Sequence, residues 1–142
     1  MEQSYANHRR YHPLFHFIGF PILAVNVLFA AYFMVRRPTI FTFWNLLVAI
    51  ALTITIFLAR LYALKNQNRI IRLEETLRLS RCLPDDLKGR IGELRTDDFV
   101  GIRFCADEEL PELCRAILGG EVTGRDAIKR RIRNWRADWN RI

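Results

Sequence analysis

The chain has 142 residues, 51% hydrophobic and 26% charged, and a formal net charge of +7 at pH 7. That length holds one modest domain, or a membrane hairpin with a small appendage. Its three cysteines, Cys82, Cys105 and Cys114, are odd in number and lack the paired close spacing of a zinc site or redox pair, so free thiols in a reducing compartment are expected.

The mean hydropathy is close to neutral, but the average conceals two solvents. Between Leu14 and Leu64 the only charges are Arg36, Arg37 and Arg60, whereas from Lys65 onward 17 Lys and Arg face 14 Asp and Glu. The opening segment, 1–13, holds His8 and His12, and His16 follows at the same spacing of four. Two histidines four apart on a helix can grip one metal. Pro13, however, belongs at the first helical position, which leaves His12 extended and His8 outside the helix. Arg9, Arg10, Tyr5, Tyr11 and the histidines instead suit an interfacial anchor, with aromatic bodies at headgroup depth and polar tips in water. Haem or metal ligation by His8, His12 or His16 stays as an alternative, as does a pH-sensitive role. The expectation is no metal and no cofactor.

The first apolar run, LFHFIGFPILAVNVLFAAYFMV, covers 14–35 and the second, FTFWNLLVAIALTITIFLARLYAL, covers 41–64, with 22 and 24 residues. About 20 apolar helical residues cross a hydrocarbon core, so both are expected to be transmembrane helices. The length of the first run and the second span directly after it argue against a cleaved signal peptide. Gly19 and Pro21 are expected to bend the first helix, because proline there frees a carbonyl. Only RRPTI, 36–40, separates the runs, which makes an antiparallel hairpin with an external turn. Pro38 stops the first helix and pushes Arg37 out of helical geometry.

Near the membrane, Arg9, Arg10, Lys65, Arg69, Arg72, Arg78 and Arg81 lie on one side and only Arg36 and Arg37 on the other. The excess of Lys and Arg puts both termini in the cytoplasm. Arg60 lies about one turn inside the second span and is expected to extend its stem to that same interface. Asn26, Asn45, Thr53 and Thr55 each want a hydrogen-bond partner within the bilayer. The pairs Ala49 with Thr53, Ala51 with Thr55 and Ala59 with Ala63 would let backbones approach, either between the two spans or against a further membrane subunit.

No glycine or proline follows Leu64 for some distance, so the second span should run on as a cytoplasmic helix over 65–83. Ile70, Leu73 and Leu77 give it a short apolar stripe expected to dock against the rest of the tail. The remainder, 84–142, reads as a small helical domain: a segment starting at Pro84, a turn capped by Thr96, and a helix capped by Asp107 and ended by Gly119 and Gly120. Thr123 and Asp126 have the spacing of a capping box. The last helix then carries Ile128, Ile132, Trp135, Trp139 and Ile142 as one seam. Opposite lie Arg125, Lys129, Arg130, Arg131, Arg133, Arg136 and Arg141, a basic amphipathic face that would meet anionic lipid, protein or RNA. A tether held at the membrane favours lipid or a membrane partner over nucleic acid, and no nucleic-acid-binding motif is recognisable.

NHRRYHPLFHF, NRIIRLEETLRL, FVGIRFCADEELPELC and IKRRIRNWRADWNRI, in that order, resemble a family of small bacterial membrane proteins known only as a domain of unknown function. The resemblance covers nearly the whole chain, and its last two segments are the most specific. It implies a multi-pass protein of the bacterial plasma membrane with a helical cytoplasmic tail, and it carries no activity or catalytic residue. The fold class expected is therefore an all-α membrane protein. The function expected is non-enzymatic: contacts with membrane lipids and with other membrane subunits or itself, as a homo-oligomer or an accessory subunit of a larger complex. Contact residues would be Arg9, Arg10, Tyr11, Asn26, Asn45 and Arg60 around the hairpin, and Lys129, Arg130, Arg131, Arg133, Trp135, Arg136 and Trp139 in the tail. A tether binding anionic lipid or nucleic acid through the last helix is a further alternative.

Overall fold

The computed structural model describes Tyr5 and residues 12–138. Those residues are helical, with no strand beyond an isolated bridge between Cys105 and Trp135. They fall into two compact units, one of 12–64 and the other of Tyr5 with 65–138.

The first unit opens with a π-helical segment, Leu14–Gly19, that passes into α1, Phe20–Arg36. The His12 carbonyl accepts the amides of Phe15 and His16, so the helix starts where Pro13 allows. At the Gly19–Pro21 step the winding changes: the Phe20 N–H reaches back five residues to the Phe15 carbonyl. Pro21 has no N–H to give, and the wider π turn lets the helix pass this point without a break. At its other end α1 leaves helical geometry at Arg37, whose φ of −144° and ψ of 79° are those of a residue before proline.

Helix α2, Ile40–Cys82, runs 43 residues, so the second span and its extension are one element. A reciprocal pair caps its start, with the Thr39 amide on the Thr42 hydroxyl at 2.9 Å and the Thr42 amide on the Thr39 hydroxyl at 3.1 Å. Both α1 with its π segment and α2 are long and apolar enough to cross a membrane. In this unit almost every large apolar side chain faces outward, and Ala49, at 1% exposure, is the one buried hydrophobic. Ring contacts join the helices: Phe20 meets Phe57 edge to face at 5.9 Å, and the Arg60 guanidinium lies 5.7 Å from the Phe15 ring.

The second unit has a core of its own. Beyond residue 64, α2 contributes Ile71, Leu79 and, just past its end, Leu83. Around them stand α3 (Asp85–Lys88), a 3-10 turn (Ile91–Glu93), α4 (Thr96–Ile102), a 3-10 turn (Asp107–Glu109), α5 (Leu110–Leu118) and α6 (Arg125–Arg131). Helices α4 and α6 cross closely at Gly101, where an added Cβ would stand 2.7 Å from the Ile128 side chain. Gly119 caps α5, and Gly120, at a φ of 77°, reverses the chain in the left-handed conformation that glycine adopts freely.

Three expectations about this unit are corrected. The stripe of Ile70, Leu73 and Leu77 does not dock: these residues are 56%, 64% and 53% exposed, and the packed face is Ile71, Glu75 and Leu79. The caps differ as well. The Asp98 carboxylate, rather than Thr96, closes the start of α4 by accepting the Arg95 amide at 2.8 Å; Asp107 turns to Arg78; and Gly124 precedes α6 with no side-chain cap. Finally, the basic amphipathic last helix ends at Arg131. Ile132 is extended, and the chain then pairs with 104–106: the Ala106 amide donates to the Asn134 carbonyl and the Arg136 amide to the Phe104 carbonyl. Glu109 is the physical cause, since its carboxylate accepts the Arg133 and Asn134 amides at 3.1 Å, which a continuing helix would need for itself.

Candidate functional site

Three groups of residues were candidates for function, and the fold treats them differently. In the opening segment, His8, Arg9, Arg10 and Tyr11 lie outside the described residues. His16 is half-buried and its Nδ1 stands 3.0 Å from the His12 carbonyl, a bond that orients the ring along the first helical turn. No cluster of three or more His, Cys, Asp or Glu that could hold a metal occurs among the described residues. Arg60 folds onto Phe15, so its cation is accommodated by an aromatic face as well as by its long stem.

Of the polar residues in the two apolar helices, Thr53 and Thr55 are satisfied within their own helix, each hydroxyl donating at 2.8 Å to the carbonyl four residues earlier, Ala49 and Ala51. Asn26 and Asn45 are different. Both are exposed on the helix surfaces, and neither carboxamide has a hydrogen-bond partner among the described residues. Each residue adds 1.5 Å of rise, so Asn26 stands about 18 Å from Leu14 and about 14 Å from Val35, in the middle of its helix. The small pairs also divide: Ala49 and Thr53 face inward, while Ala51 and Thr55 lie on the exposed side.

In the tail, the basic residues do not form one face. Lys129 is buried, with its ammonium 5.4 Å from the Phe104 ring. Arg130 donates from Nε to the Tyr5 hydroxyl at 3.1 Å, Arg131 pairs with Glu121 at 3.6 Å, and Arg136 approaches Glu75 at 3.9 Å. Arg133 is held through its backbone by Glu109. Trp135 packs on Phe104 with ring centroids 5.0 Å apart, and Trp139 lies outside the described residues.

The residues that organise the tail were not among the candidates. Arg78, nearly enclosed, donates to Glu75 at 3.0 Å, to Asp107 at 2.7 Å and to the Cys105 carbonyl at 2.6 Å. Its planar fork ties α2 to the turn before α5 and to the bridge that receives Trp135. Burial pushes the Glu75 carboxyl above its ordinary value, with Arg78 opposing that shift. Burial also pushes the Cys105 and Cys114 thiols up to about 12, which makes both poor nucleophiles. The only hint in the sequence was a carboxylate and an arginine three apart on α2, a spacing shared by many solvated pairs.

The chain belongs to a family of unknown function, DUF6526, which it matches along its whole length, residues 1–142. No curated protein and no solved structure matches it.

Proposed function

We propose that the chain is a non-enzymatic protein of the bacterial plasma membrane that works through contacts between membrane subunits, as a homo-oligomer or as an accessory subunit of a larger complex. In this reading α1 and the first part of α2 cross the bilayer as an antiparallel hairpin, with the turn at Pro38 outside and both flanks in the cytoplasm. The pairing of Phe15 with Arg60, Phe20 with Phe57 and Met34 with Thr42 supports the hairpin, because numbers rise along α1 as they fall along α2. The outward belt of apolar side chains from Leu14 to Leu64 supports immersion in lipid.

The observation that carries the contact function is Asn26. An amide at mid-helix, exposed and without a hydrogen-bond partner among the described residues, would face hydrocarbon if the protein were alone in the bilayer. A neighbouring subunit resolves this, since hydrogen bonds between membrane helices contribute about 0.6 to 2 kcal/mol each. The exposed Ala51 and Thr55 offer that subunit a surface of low relief.

The test is the mass of the intact particle after mild detergent extraction. A particle heavier than one chain is expected, through self-association or a copurifying membrane protein, and Asn26→Leu should weaken it. A strictly monomeric particle with nothing attached defeats the proposal.

A further inference from the structure

We infer that the exposed face of α2 at Ile70, Leu73 and Leu77 is a parallel docking seam for a second copy of this chain, closed by reciprocal Arg69–Glu74 pairs. The inference rests on the membrane reading above and names the partner and the surface within it.

The face is exposed, and among the described residues it packs on no other element of its unit. With 100° per residue, the centre of Ile70, Leu73 and Leu77 lies roughly 170° around the helix from the centre of Ile71, Glu75 and Leu79, which pack on the core. A partner on this side therefore meets no competition from the described helices of its own unit. A shallow depression of about 710 Å³ borders it at Ile70 and Leu73, lined also by Asn66, Arg69, Arg72 and Thr76. The three apolar positions follow steps of three and four, the a and d spacing of a two-stranded coil.

Charge complementarity selects a second copy of this chain as the occupant. With Ile70 and Leu77 at a and Leu73 at d, Arg69 falls at g and Glu74 at the following e. In a parallel pair the g residue of one strand faces the e residue five positions on in the other, so Arg69 meets Glu74 of the second copy, and the twofold axis repeats the pair. Antiparallel strands would lose that g-to-e match. Copies that share one orientation in a membrane present α2 in parallel, as the pairing requires. Three apolar residues are too few to hold free helices together in water, but anchorage in one bilayer raises the effective concentration of the second strand.

The experiment is disulfide cross-linking of the full chain in membranes, with Cys82 replaced by serine. Leu73→Cys should give a cross-linked dimer on mild oxidation, and Asp85→Cys, on an exposed site outside the seam, should give none. Arg69→Glu in the Leu73→Cys background should lower the yield severalfold, and the exchange Arg69→Glu with Glu74→Arg should restore it. That rescue is one that a merely local effect on the helix would not produce. Equal cross-linking at both sites, or no response to charge reversal, overturns the seam. If the extracted particle still exceeds one chain while Leu73→Cys fails to cross-link, the seam falls and the contact function stands. A monomeric particle removes both.

Discussion

Glu75 sits between Ile71 and Leu79 on the packed side of α2, where its neighbours would lead one to expect leucine. It is tolerated because Arg78 lies one turn on and is itself fixed by Asp107 and the Cys105 carbonyl. Burial still raises the carboxyl above its ordinary value of 4.5. The folded chain therefore holds this proton to higher pH than the unfolded chain does. The stability linked to it is fully present below 4.5 and is lost as pH rises through the raised folded value. Thermal melting of the full chain in detergent should show that decline, and Glu75→Gln should flatten it. The thiols give a second prediction. Maleimide should modify only the half-buried Cys82 in the folded protein, and Cys105 and Cys114 only after unfolding, as counted by intact mass. That these were free thiols could be read from their number and spacing. That Glu75 is buried could not, since its support comes in part from Asp107, which is remote in sequence.

At the scale of elements, the crossing of α4 and α6 depends on the missing side chain of Gly101. Gly101→Ala should cost about 1 to 3 kcal/mol through overpacking against Ile128. Ile128→Ala alone should cost about 2 to 5 kcal/mol, because it empties a fully buried site. In the double variant the two losses should be less than additive, since the alanine methyl moves into the vacated space; denaturation of the four chains measures the coupling. Strict additivity would show that the contact carries no energy. The two long apolar helices, the break at Arg37, the run of α2 to Cys82 and the glycine stop after α5 were all legible, because length, proline, glycine and an uninterrupted apolar run act locally. The packed face of α2 was not. Its apolar residues repeat at helical spacing on two sides, and the more regular stripe is the exposed one. The end of α6 was hidden for a similar reason: the seam of Ile128, Ile132 and Trp135 suits a helix, and the groups that bind the chain beyond it, Glu109 and the 104–106 backbone, lie far back in the sequence.

At the scale of the whole molecule, the placement of arginines and lysines makes a topological prediction. Single cysteines placed at Thr39 and in the Gly119–Gly120 turn of an otherwise cysteine-free chain should react from opposite sides of intact cells, Thr39 from outside and the glycine turn only after permeabilisation. The reverse pattern, or reaction of both from one side, contradicts the hairpin. The candidate contact surface was only half visible at this scale. Asn26 could be singled out as a polar residue within an apolar run, and the structure leaves it exposed, while the tail's basic residues suggested a face that the fold distributes among Tyr5, Phe104, Glu121 and Glu75.

The wide turn at Leu14–Gly19 has a consequence for how this chain tolerates length change. A π turn is an ordinary helix carrying one surplus residue. Removing Phe17 should let the segment relax to regular winding, with the flanks on either side keeping their registration. The same excision around Leu28 would swing every following side chain by about 100°. Single-codon deletions scanned along the first rod, scored by the amount of protein reaching the membrane, should be absorbed near Phe17 and nowhere further along.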